Sequence, residues 1–247
     1  MDSEPGNDLM PLIGKLASMM TLSEDERYAI QGLPRTRRRL GARNDISREG
    51  DRLSQCCLIL EGWAYRYKML DNGKRQILSF HLPGEIPDLQ SLHLPQMDHN
   101  LSTLTECTVV IIPHNGLQAL ITQFPAVTAE LWRETLVDAA IFREWVTNIG
   151  QRSASERIAH VFCELYTKLH AVGLAHDYSC AIPLTQQELG DATGVTTIHV
   201  NRVLQGLRAA GLITYKSGKL TIHDWNALKK LAQFDPAYLH LKPKAGA

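Results

Sequence analysis

The sequence predicts an α+β chain in three parts: an N-terminal antiparallel β-roll, one long helix, and a C-terminal pair of short helices followed by a two-stranded wing. Three observations carry this. Between about residues 40 and 113, short β-type runs are separated by glycine-containing turns. From Phe124-Pro125 to about Ile149, an apolar helical pattern runs without a breaker. From Thr185 to Ile222, two capped helices precede two short strands. The corresponding parts are residues 1–118 (leading helices and roll), 119–150 (long helix), 151–224 (winged unit) and 225–247 (tail).

The bulk numbers fit such a chain. A length of 247 residues suits two domains. A hydrophobic content of 44% with 21% charged residues is ordinary for a globular protein. Lys plus Arg and Asp plus Glu both total 26, so nucleic-acid binding would rest on a local basic surface. The five cysteines (Cys56, Cys57, Cys107, Cys163, Cys180) lack the spacing of a disulfide framework or a zinc site. Adjacent Cys56 and Cys57 on a strand would face opposite ways. These features, and the absence of an apolar signal core in residues 1–8 or of any run near the ~20 residues that span a bilayer, point to a reducing cytoplasmic compartment and no membrane.

Residues 9 to about 33 show helical apolar spacing, with a cap signal at Thr21-Leu22-Ser23-Glu24. The cluster Arg35, Arg37, Arg38, Arg39 and Arg43 then reads as a solvated loop or strand edge, with contact to DNA or an acidic partner left open. The roll is read from four runs. Leu58-Ile59-Leu60 precedes Glu61-Gly62, and Trp63-Ala64-Tyr65-Arg66-Tyr67 precedes Asp71-Asn72-Gly73. Ile77-Leu78-Ser79-Phe80 precedes Pro83-Gly84, and Thr108-Val109-Val110-Ile111-Ile112 ends at Pro113.

In the long helix, Trp132, Thr135, Ala139, Phe142, Val146 and Ile149 alternate steps of three and four. That is a seam on which two parallel helices can pack, and a core helix within one chain satisfies the same spacing. Leu131, Leu136, Ala140 and Trp145 form a second apolar set on other faces. Residues 150–153 read as a hinge into another helix, from Glu156 to about His170.

Thr185-Gln186-Gln187-Glu188 is a capping box. Gly190 allows close backbone approach, and Gly194 sits where a tight interhelical turn wants positive φ. Thr196 caps the next helix, which ends before Gly211. This is a helix-turn-helix. On its second helix Val200, Val203, Leu204 and Leu207 share the face to be buried, while Ile198, Asn201, Arg202 and Gln205 share the other. Arg, Asn and Gln read base edges in the major groove, and an apolar side chain such as Ile meets a thymine methyl. Two strands flanking Lys216-Ser217-Gly218-Lys219 make a wing with a basic tip for phosphate. The candidate DNA-contacting set is therefore Thr185, Gln186, Thr196, Thr197, Ile198, Asn201, Arg202, Gln205, Lys216 and Lys219. An enzyme is not expected, since nucleophile elbow, phosphate loop, dinucleotide fingerprint and zincin helix are all missing. The alternative is a ligand-sensing module whose winged helix contacts protein, and the presence of Asn201 and Arg202 favours DNA.

Residues 184–222, with Glu49-Gly50-Asp51, Glu61-Gly62, Gly73-Lys74-Arg75-Gln76 and Leu82-Pro83-Gly84-Glu85 in the roll, resemble the Crp–Fnr family of bacterial regulators over roughly residues 10 to 225. The resemblance implies a cyclic-nucleotide-binding-like roll that senses a signal and a long helix that makes a homodimer. It also implies winged helices that read a pseudo-palindromic promoter site, and RNA polymerase as a partner. Arg202 matches a family reading position. Ile198 replaces the usual acidic reader and Thr197 a frequent arginine, so the half-site should differ.

The tentative effector segment is Gly84, Glu85, Asp88 and Leu89. The family's phosphate-holding segments align with Pro87-Asp88-Leu89 and Met97-Asp98, and no Lys or Arg lies between Gln76 and Trp132, so cyclic AMP is not expected. No cysteine precedes Cys56, so the N-terminal iron–sulfur cluster of the oxygen-sensing branch is not expected either. Haem stays open, with His81 and His93 the pair to watch.

Overall fold

The computed structural model of the chain describes residues 8–241, so the expectation for the extreme N-terminus falls, except for Asp8, outside the described residues. The chain divides into two compact units, Met1–Leu136 and Val137–Ala247.

In the first unit, helix α1 (Met10–Met19) is followed by α2 (Glu24–Gln31). Ser23 caps α2 and Glu26 closes the box on the Ser23 amide at 2.8 Å. Seven antiparallel strands follow: β1 (Thr36–Leu40), β2 (Asp45–Ser47), β3 (Gln55–Glu61), β4 (Ala64–Met69), β5 (Arg75–His81), β6 (Asn100–Thr103) and β7 (Cys107–Pro113). They form one sheet in the order β1-β7-β3 and another in the order β2-β6-β4-β5. Ile46 of β2 packs against both Cys57, Val109 and Ile111 of the first sheet and Ala64 and Leu101 of the second, which makes the roll interior. The outer face of the first sheet (Cys56, Leu58, Val110, Ile112) packs against α1, α2 and the following helix α3 (His114–Gln123). Cys56 and Cys57 thus face opposite ways, and all five cysteines are buried and free.

The four strands read from the sequence are β3, β4, β5 and β7. Three of the basic cluster lie on the edge strand β1, where Arg38 and Arg39 stay exposed and Arg37 bonds Asp8 at 3.0 Å, while Arg35 and Arg43 flank it. Arginines on an edge deter pairing with another chain.

Helix α4 (Pro125–Gln151) runs from the first unit into the second. Residues 119–123, assigned from the sequence to the long helix, belong to α3. The second unit is built on α5 (Ala154–Ala171), which the Ser153–Glu156 capping box starts. Then come β8 (Ala175–His176), β9 (Ser179–Ala181), α6 (Gln186–Thr193), α7 (Thr197–Ala209), β10 (Ile213–Lys216), β11 (Lys219–Ile222) and α8 (Trp225–Leu231). The wing is wider than the two strands expected from the sequence, with strand order β10-β11-β9-β8. The segment read as a tail contains α8, which packs on α5 through the buried Leu228, and a 3-10 turn at Pro236–Leu239. Among the described residues no helix is long and apolar enough to cross a membrane.

Candidate nucleic-acid interface and effector segment

The two short helices are locked by their own termini. Thr185 Oγ1 accepts from the Glu188 amide at 3.2 Å, and Glu188 Oε2 accepts from the Thr185 amide at 2.7 Å. Gly194 ends α6 at φ +70°, and its amide bonds the Gly190 carbonyl. A Cβ on Gly190 would stand 2.6 Å from the Val195 carbonyl oxygen, so the turn requires glycine there. Thr196 caps α7 by accepting from the His199 amide at 3.3 Å. Val200, Val203, Leu204 and Leu207 are buried, while Thr197, Ile198, Asn201, Arg202 and Gln205 are exposed. Those five and Gln186 line one open concavity. Ile198 is 77% exposed, an apolar side chain that the fold of this unit does not use.

The wing turn is Ser217-Gly218, both at positive φ, as a two-residue hairpin connection requires. It sets Lys216 directly opposite Lys219 across the ladder, and both are exposed. Like charges in that register repel unless an anion lies between them. Sequence reasoning missed two residues that hold this assembly. Tyr215 OH donates to the Ile182 carbonyl at 2.9 Å and to the Leu184 carbonyl, tying the wing to the entry of α6. Arg157 on α5 donates to the Thr193 carbonyl at 3.1 Å, beside the interhelical turn. Neither has a local sequence signal, because each partner lies 31 or more residues away.

On α4 the apolar seam is open. Trp132 is 67% and Val146 72% exposed, with Thr135, Ala139, Phe142 and Ile149 half-buried between and beyond them. Of the second apolar set, Leu131, Ala140 and Trp145 are buried, while Leu136 is 55% exposed.

The tentative effector segment is bonded to its own chain. The Gly84 amide bonds the Ile59 carbonyl, and the Ile59 amide bonds the Glu85 carbonyl. Glu85 Oε2 lies 2.8 Å from His81 Nδ1, and His81 Nε2 lies 2.8 Å from Ser79 Oγ. Both His81 ring nitrogens are thus engaged, and His93 is exposed. Asp88 is buried, with both carboxylate oxygens on the Cys57 amide at 2.8 and 3.1 Å. It lines a cavity of about 100 Å³ in the roll together with Arg38, Gln55 and Cys57; Gly84, Glu85 and Leu89 do not line that cavity. The span free of Lys and Arg in sequence is not free of them in space. Arg66 of β4, itself buried, donates through Nε to the Pro87 carbonyl at 2.9 Å.

Burial pushes the Asp88 carboxyl from 3.8 up to about 7, against the opposing pull of the Cys57 amide and the Arg66 charge. The folded roll therefore holds this proton more tightly than the unfolded chain. The stability it contributes is present near pH 4 and is lost as pH rises through about 7. The urea midpoint of the wild type should rise relative to Asp88→Asn as pH falls from about 8 to about 5. Parallel pH profiles for the two proteins would show that Asp88 does not titrate in this window.

Comparison with known proteins agrees with this architecture. Residues 156–231 match the Crp-like helix-turn-helix domain, and residues 37–124 match the cyclic nucleotide-binding domain. The chain belongs to the Crp–Fnr family of transcription regulators. Among curated relatives, the anaerobic regulatory protein of Haemophilus influenzae is 24% identical over 89% of this chain and 85% of its own length. The transcriptional activator protein FnrA of Stutzerimonas stutzeri is 24% identical over 86% of this chain and 87% of its own. Among solved structures, FixK2 from Bradyrhizobium japonicum shares the fold at a TM-score of 0.74 and 23% identity, covering 81% of this chain and 98% of that one. In Pro87-Asp88-Leu89, which the sequence resemblance sets against the family's phosphate-holding segment, Asp88 is a buried acid whose oxygens already accept from the chain's own backbone.

Proposed function

We propose that the protein binds a pseudo-palindromic promoter site as a homodimer, with α7 in the major groove and the wing on phosphate. The observation that carries this is the face of α7. Asn201, Arg202 and Gln205 stand exposed beside Ile198 on a helix capped at its N-terminus, with the paired lysines of the wing in the same unit. Arg202 bonds guanine O6 and N7, Asn201 or Gln205 pairs with adenine, and Ile198 meets a thymine methyl. Thr185, Gln186, Thr196 and Thr197 hold the nearby backbone, as do Lys216 and Lys219. The exposed seam of α4 supports the homodimer. Cytoplasmic residence, RNA polymerase as partner and the absence of catalysis belong to the same reading.

The roll senses a signal other than cyclic AMP, and an N-terminal iron–sulfur cluster is not part of it. Asp88 would repel a phosphate while ionised, and Arg66 is held by the Pro87 carbonyl. Calorimetry with the purified protein should give no saturable heat with micromolar cyclic AMP. Saturable binding with a matching rise in DNA affinity would contradict this. The DNA reading is tested by selecting bound sequences from a random duplex pool, with and without cell extract. Two inverted half-sites should be enriched; a pool that stays random in both arms would refute it.

A further inference from the structure

Residues 144–238 of the second unit hold a polar network, buried at its centre, that uses none of the exposed residues of α7. Trp145 Nε1 on α4 donates to both carboxylate oxygens of Glu164 on α5 at 3.1 Å. His160, also on α5, lies with Nε2 3.2 Å from Glu144 Oε1 on α4. Burial and the nearby Arg152 charge push this imidazole down to about 3, so it is neutral and the interaction is a hydrogen bond. Arg152, in the elbow between α4 and α5, reaches back to Glu144 at 2.7 Å.

The network is completed by chain that follows the wing and α8. Tyr238 OH donates to Glu164 Oε2 at 2.6 Å, and its ring stacks on His160 with centroids 5.9 Å apart. At the exposed edge of the network the carbonyl of Gln233 accepts from Arg152 at 3.3 Å. Hydrogen bonds are directional, and in a buried setting an unmade one is costly. A rotation of α5 against α4 would therefore break several together. Arg157 carries that constraint onward, since its Nε bonds the Arg152 carbonyl at 2.8 Å and its Nη1 the Thr193 carbonyl beside the interhelical turn.

We propose that residues 233–239 are a clamp on the α4–α5 elbow, and that Tyr238 and Gln233 thereby set the half-site spacing that the dimer accepts. This rests on the homodimeric DNA reading above. Because α4 carries the dimer face and α5 carries the helix-turn-helix, the elbow angle fixes the separation of the two recognition helices. That separation selects the distance between half-sites. Tyr238 and Gln233 are positioning residues that touch no DNA.

The test uses the full chain and duplexes carrying two inverted copies of the selected half-site. The spacer is kept at the selected length or changed by one or two base pairs, and a single half-site serves as control. The wild type should prefer its spacing by about tenfold, in the range of one mismatched base pair. Tyr238→Ala should reduce that preference to under about threefold, with dimer state and single half-site affinity unchanged. Tyr238→Phe keeps the ring, loses the bond to Glu164, and should fall between; it is the variant to read if the alanine form does not fold. An unchanged spacing preference in folded variants overturns the clamp. So does a loss of single half-site affinity, which would mean that Tyr238 only supports the winged unit. A wild type without any spacing preference overturns the dimer reading itself, and the clamp with it.

Discussion

Replacing Trp132 and Val146 together with aspartate should convert the proposed dimer to a monomer in sedimentation. The two positions lie two heptads apart on one stripe of α4, and each is more than two-thirds exposed in the protomer. Nothing in the single chain depends strongly on them, so the protomer melting temperature should barely move. In a paired helix both would be buried, each contributing about 1.5–3 kcal/mol. Aspartate there forfeits that contribution and leaves an unpaired buried charge, at about 3–5 kcal/mol for each. The dissociation constant should rise by at least about a thousandfold. Specific DNA binding should fall to half-site level, because two half-sites must be gripped together. Phe142 is less suited to this test, since it is half-buried. A double variant that still sediments as a dimer would move the interface off this face.

Truncating Arg202 to alanine removes the planar fork that, in the proposed docking, bonds guanine O6 and N7 together. It should cost about 1–3 kcal/mol on the specific site and relax the preference at one base pair of each half-site. Lys219→Ala removes a flexible point charge at the wing tip instead. It should weaken all sequences about equally and lower the salt slope by roughly one for each phosphate that is no longer neutralised. Titrations on cognate and scrambled duplexes across a salt series separate the two. If Lys219→Ala alters base preference while Arg202→Ala does not, α7 does not sit in the major groove as described.

Local chemistry made the reading helices legible from sequence. Thr185, Glu188, Gly194 and Thr196 each act on partners within four residues, through caps and a left-handed turn. The same holds for the apolar faces of α4 and α7, whose spacing is a property of the helix itself. Legibility ended where the deciding partner is distant. Arg66 reaches the Pro87 carbonyl across 21 residues, so a gap in basic residues along the chain did not exclude a basic group in space.

Strand β1 was legible only as a loop or strand edge, because arginine is not a signature strand residue, and its pairing with β7 spans about seventy residues. The β8–β9 hairpin hid for another reason. Its strands are two and three residues long, and Asp177 and Tyr178 take positive φ without glycine, so no turn signal marks it. Leu136 was sorted by helical angle alone, yet it is exposed with the seam, because spacing assigns a face and packing decides which faces are covered.

Methylation interference at guanine N7 on the selected duplex tests the central claim most directly, since that atom lies on the floor of the major groove. Two symmetric clusters of interfering guanines are expected, about one helical turn apart or a whole multiple of it. One guanine in each should become insensitive in Arg202→Ala. A single cluster, or binding indifferent to N7 methylation, would contradict a dimer that reads DNA through α7.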